Sequence, residues 1–189
     1  MSFNSCWRNL ASLKIARAVV CLALAVAYPA QGSGVAGGWR AELPGAVAIG
    51  NGELRWFGLR IYNAALWSVR QPFDPSARFA LQLTYHRSIS RERLVQTSLD
   101  EMRRLGTAPN QPSVLAQWEN QLRKAFVDVE AGDQLIGVHL PGYGMRLYDH
   151  RKLVADLPDQ DLARAFFGIW LNEASRDQAL RRQLLGDRQ

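Results

Sequence analysis

The chain has 189 residues, 48% of them hydrophobic and 21% charged, an ordinary globular composition long enough for one domain with a sizeable core. Its 23 lysines and arginines exceed its 17 acids for a net charge of +6, but three of the cations and none of the acids precede residue 37, which leaves 20 against 17, a net +3. With the remaining cations interspersed among acids, as at Arg91-Glu92-Arg93 and Arg176-Asp177, the charge makes no case for nucleic acid and reads as a solvated face.

Residues 1–36 read as a secretory signal peptide. Arg8, Lys14 and Arg17 precede an uncharged run from Ala18 to Ala27, followed by small residues and Pro29. The run is too short for a membrane span, which needs about 20 residues. Ala25-Val26-Ala27, Ala30-Gln31-Gly32 and Gly34-Val35-Ala36 are all candidate cleavage signals. Cleavage would remove both cysteines, Cys6 and Cys21, and with them disulfide, thiolate and cysteine–metal chemistry. The expected product is one domain over residues 37–189, exported to the periplasm or secreted, with no stable membrane span.

Trp39 to Leu43 and Ala46 to Ile49 are predicted as short strands separated by Pro44-Gly45. The next stretch, Gly50 to Trp67, places Arg55 in an apolar, aromatic, strand-like run. A buried guanidinium needs a partner. Glu53, Asp149 or a backbone carbonyl could supply it from within, and a ligand could supply it as a carboxylate, phosphate or enolate. Gly58 marks a turn or bulge, which could bring Arg55 and Tyr62 to one side of the sheet. Arg78 to Tyr85 contains a further strand, with Phe79, Leu81 and Leu83 alternating.

Ser90 then precedes a helical stripe of Leu94, Val95, Ser98, Leu99, Met102 and Leu105 that stops at Gly106. A second amphipathic helix runs from about Pro112, with Asn110 or Ser113 available as its cap. Gln134 to Leu140, Gly144 to Asp149 and Lys152 to Asp156 resemble an antiparallel meander. The chain closes on helices over Asp159–Leu171 and Arg176–Leu185. This order predicts an α+β fold, an antiparallel sheet with helices mainly on one face. Trp56, Trp67, Trp118 and Trp170 read as core aromatics. His86, His139 and His150 lack metal-ligand spacing, and no phosphate loop, nucleophile elbow or dinucleotide fingerprint implies a cofactor.

Four features in their order resemble the bacterial chalcone isomerase-like proteins: Gly-x-Gly-x-x-Arg at Gly50 to Arg55, the strand Arg60 to Trp67, the hairpin Tyr143 to Tyr148, and Phe166 to Leu171 with Leu180 to Gly186. The resemblance covers about residues 40–186. It implies an open-faced β-sandwich with a ligand cleft between sheet and helices. In the plant isomerases that cleft closes a chalcone into a flavanone, and in the fatty-acid-binding members an arginine and a tyrosine meet a carboxylate. Arg55 matches the family arginine and Tyr62 the supporting hydroxyl. The positions of the isomerases' catalytic tyrosine and substrate-contacting asparagine hold Ser90 and Thr97, so the ring-closing set is incomplete, which argues against flavonoid isomerase activity. The expected function is non-catalytic binding of a small amphipathic acid, fatty-acid-like, by Arg55, Tyr62, Ser90 and Thr97, with no metal or cofactor. The alternatives are an envelope protein-interaction module with a filled cleft, or an isomerase or lyase of unknown substrate.

Overall fold

The computed structural model describes residues 38–187. The segment read as a signal peptide, with both cysteines, lies outside them. Six strands, β1 (Val47–Trp56), β2 (Leu59–Ser68), β3 (Phe79–Tyr85), β4 (Gln134–Leu140), β5 (Gly144–Tyr148) and β6 (Leu153–Leu157), form one antiparallel sheet in sequence order. Helices α1 (Arg91–Arg104) and α2 (Pro112–Ala125) sit between β3 and β4, and α3 (Gln160–Leu171) and α4 (Gln178–Leu184) follow β6.

The helix boundaries follow from local chemistry. The Ser90 hydroxyl accepts from Arg93 N, and Asp128 accepts the Arg91 N–H from across the fold, so two side chains satisfy the open N-terminus of α1. Neither Asn110 nor Ser113 caps α2; Gln111 takes the cap position without a side-chain bond, and Pro112 supplies a preset φ at the first turn. Asp159 caps α3 and also accepts from the Trp118 indole at 3.1 Å, tying α2 to α3. Asp177 caps α4, two residues later than the sequence suggests.

Alternate residues of the central strands separate two cores, as strand periodicity requires. Leu66, Leu81, Leu83, Met145 and Leu147 face the helices and pack on Val95, Leu99, Met102, Leu122, Phe166 and Leu184. The opposite face buries Ala80, Ile136, Val138 and Tyr148 under Trp39 and Leu43. The stretch predicted as a strand at Trp39 to Leu43 is instead a single 3₁₀ turn, Trp39–Glu42. Trp39 opens the turn and Leu43 follows it in a non-helical conformation, and both are buried on the sheet, where Arg40 lies 4.4 and 4.3 Å from the Trp39 and Trp67 ring centres. Glu42 fastens this turn, accepting from Arg146 at 2.6 Å and Tyr148 at 2.8 Å.

The second expected strand is continuous with the third. β1 runs unbroken from Val47 through the two glycines, with a register shift between Ala48 and Gly50. The glycines are there for contact. A Cβ on Gly50 would sit 2.0 Å from the Gln183 carbonyl oxygen, and one on Gly52 would sit 2.1 Å from the Gln183 side chain. Gly-x-Gly thus lets the last turn of α4 lie directly on β1.

Candidate functional site

At the end of β2 nearest the turn, Tyr62 stands opposite Leu54 on β1 and Tyr85 on β3. Tyr62 and Leu54 pack against the helix-side core. The two tyrosine rings meet edge to face at 5.9 Å. From above, α3 presents Phe166 and Trp170 one turn apart, and the Trp170 indole N–H donates to the Tyr62 hydroxyl at 2.9 Å. Among the described residues, Tyr62's own hydroxyl hydrogen is donated to none. Burial raises the Tyr62 pKa far above the ordinary tyrosine range against the opposing Trp170 bond, and the Asp177 and Glu101 carboxylates add to the rise. Burial does the same to Tyr85, reinforced by Tyr62. Both hydroxyls are therefore neutral donors.

The rim beside Tyr62 is charged. Glu101 of α1 accepts from Arg104 at 2.8 Å and from Arg176 at 2.7 Å. Burial pushes its pKa up, but the hydrogen bonds from Arg176 and Arg104 outweigh that and hold it below the ordinary carboxylate value. This ion triad pins α1 to the segment between α3 and α4.

Arg55 is not buried. Its side chain is 60% exposed and pairs with Glu53 at 2.5 Å. The reason lies in the register. The last β2–β3 pair is Tyr62 with Tyr85, so the turn end of the β1–β2 hairpin overhangs the sheet. A second register shift, between Leu54 and Arg55, sets Arg55 opposite Arg60 rather than beside Tyr62. Glu53 bridges the two guanidiniums, and His86 approaches it at 3.7 Å. The Arg60 bond is the main cause of a Glu53 pKa below the ordinary carboxylate value.

The other two predicted site residues lie apart. Ser90 is occupied by capping α1, and Thr97 is exposed on that helix, away from the face that buries Val95, Leu99 and Met102. Of the four, only Tyr62 faces the layer between sheet and helices. Trp56, expected in the core, is 52% exposed. Sequence reasoning placed Trp170 in the core but missed it as the partner of Tyr62; the signal available was its indole N–H, which a buried tryptophan must spend on an acceptor.

Two of the depressions among the described residues bear on the site. One of about 300 Å³ on the open sheet face is lined by Asn51, Glu53, Asn63, Gln82 and Thr84. The other, about 700 Å³, lies between the start of β1 and α4. Neither reaches Tyr62. No group of three or more potential metal ligands occurs among the described residues.

An antiparallel meander with all four helices packed on one face is an α+β open-faced β-sandwich. Residues 55–186 match the family described as chalcone isomerase-like, and the chain belongs to that family. Among solved structures, a fatty-acid binding protein of Arabidopsis thaliana is similar, with a TM-score of 0.57 and 12% sequence identity over 76% of this chain and 88% of that one. At that identity the likeness establishes the fold. A search of curated proteins found no match.

Proposed function

We propose that this chain is an exported, non-catalytic binding protein that takes a small amphipathic acid, fatty-acid-like in shape, between sheet and helices. The observation that carries the reading is the half-buried Tyr62 hydroxyl, which accepts from Trp170 and keeps its own hydrogen to donate. A neutral tyrosine amid apolar side chains suits one end of such an acid, the hydroxyl for the carboxyl group and the ring for the chain. Membership of the family and the fold of a fatty-acid binding protein support it. Arg55 joins this site only by exchanging Glu53 for the ligand carboxylate. The positions that would complete a ring-closing set are otherwise engaged, Ser90 at a helix cap and Thr97 on an exposed helix face.

Native mass spectrometry of the full chain, followed by solvent extraction, tests this, with calorimetric titration of laurate and palmitate. Wild type should carry an acid, and Tyr62→Phe should lose it. Retention by Arg55→Ala would remove Arg55 from the site. A bare mass together with no heat from either acid would overturn the reading. It would favour a surface-acting interaction protein, which the dense packing around Leu99, Met102 and Phe166 also suits.

A further inference from the structure

The overhanging turn of β1–β2 carries an apolar surface that the fold does not use. Phe57 is 90% exposed, Leu59 55% and Trp56 52%. The two aromatic rings stack edge to face at 5.1 Å, forming one blunt cap on the hairpin. Phe57 also adopts φ 47° and Gly58 φ 78°. A two-residue turn with both φ positive favours asparagine or aspartate at the first position, and a phenylalanine there is conformationally costly. Among the described residues no burial offsets that cost.

Charge surrounds the cap. Arg55 and Arg60 flank it immediately, both more than half exposed, and the single carboxylate of Glu53 lies between them. The strand β2 passes beside residue 86 through the His86 N–H bond to the Ile61 carbonyl, and exposed Arg87 follows at once. Three arginines against one glutamate leave the tip positive. Trp56, Phe57 and Leu59 sit at the turn itself, and Arg55 and Arg60 pair across the strands one step before it.

We propose that the β1–β2 hairpin tip docks this protein onto an anionic lipid surface, with Trp56, Phe57 and Leu59 entering the interfacial layer and Arg55 and Arg60 meeting lipid phosphates. Aromatic side chains favour that depth, and the net positive flank complements the surface charge. The proposal is independent of the ligand between sheet and helices. Docking is peripheral: no helix among the described residues is long and apolar enough to cross a membrane.

The test is co-sedimentation of the full chain with vesicles of equal parts phosphatidylcholine and phosphatidylglycerol, and with phosphatidylcholine alone. The protein is expressed with its export signal and each variant's mass is checked before the assay, so that only chains processed alike are compared. Phe57→Asn relieves the turn while removing the apex, so it should keep or raise the melting temperature yet weaken binding to the mixed vesicles at least about tenfold. Arg55→Ala and Arg60→Ala should each weaken it about fivefold. Tryptophan emission should be quenched by brominated lipid in wild type and less so in Trp56→Phe. Equal binding of wild type and Phe57→Asn, or binding without preference for the anionic lipid, overturns the proposal. So does a wild type that ignores vesicles but forms a dimer that Phe57→Asn dissolves, an outcome that would assign the tip to a second copy of the chain.

Discussion

The contact between β1 and α4 makes a quantitative prediction that separates two glycines of one motif. At Gly50 an added methyl meets backbone: the carbonyl oxygens of Gln183 and Leu184 at 2.0 and 2.7 Å and the Leu184 carbonyl carbon at 3.0 Å. Backbone at the end of a packed helix cannot step aside, so α4 must lift from the strand. At Gly52 the same methyl meets the Gln183 Oε1 at 2.1 Å and the Leu180 Cδ1 at 2.8 Å, both ends of side chains that can rotate. Overpacking costs about 1–3 kcal/mol, and Gly50→Ala belongs at the top of that range. Replacing glycine in a strand returns about 0.5–1 kcal/mol of backbone entropy, so Gly52→Ala should come out near neutral and Gly50→Ala about 2 kcal/mol less stable. For a chain of this size that is a fall in melting temperature of about 4–8 °C. Thermal unfolding followed by circular dichroism gives the numbers, and hydrogen exchange of the α4 amides shows whether that helix is the part released. An unchanged melting temperature for Gly50→Ala, or a larger loss for Gly52→Ala, would refute the packing argument.

Tyr62→Phe strands the Trp170 indole N–H in an apolar layer and should cost about 1–3 kcal/mol, read as a lower urea midpoint with an unchanged slope; no loss of stability would mean that water or another acceptor replaces the hydroxyl. Arg55→Ala, in contrast, should leave the melting temperature where it is, because the side chain is 60% exposed; a clear loss would show that the Glu53 pair holds the hairpin. His139, stacked 4.7 Å from Phe79 and with its Nδ1 3.2 Å from the Ala77 carbonyl, is held below the ordinary histidine pKa by burial, with the Ala77 bond opposing. The unfolded chain therefore takes up this proton first as pH falls, so the stability is complete above the ordinary value of 6.5 and declines below it. Urea midpoints at about pH 7 and about pH 5.5 should differ in wild type and converge in His139→Phe; an equal acid loss in both would assign the effect to other groups.

Much of the fold was legible because the helices advertise themselves twice, by apolar spacing and by caps. Ser90, Asp159 and Asp177 each precede a stripe at helical spacing, and each side chain caps the helix that follows. The strands were legible where one face is buried, as in β3. The 3₁₀ turn at Trp39 was not, since an aromatic followed by small and polar residues carries neither period over four residues, and only burial of Trp39 and Leu43 on the far sheet face selects it. The site was the least legible part. Whether Arg55 and Tyr62 share a side depends on a one-residue shift in the β1–β2 register, and such a shift leaves the residue types, and hence the pattern, untouched. How far the hairpin overhangs β3 is set by the pairing of Tyr62 with Tyr85, a contact between strands that no local pattern encodes.

The partner that Arg55 was predicted to need exists, and it is internal. Glu53 serves Arg55 and Arg60 together, which gives two cations one anion and leaves both guanidiniums with unused donors facing solvent. This arrangement holds the arginines in place beside the aromatic tip without neutralising them. It also separates the two chemistries of the molecule along β2. Arg60 at the turn end belongs to a charged, exposed surface, while Tyr62, two residues on, is half-buried in the apolar layer under the helices, where burial holds its pKa far above the ordinary tyrosine range. An anion arriving at the hairpin therefore competes with Glu53, whereas an acid entering beneath the helices meets a neutral donor first. The register shift between Leu54 and Arg55 is what allows one short hairpin to present both environments.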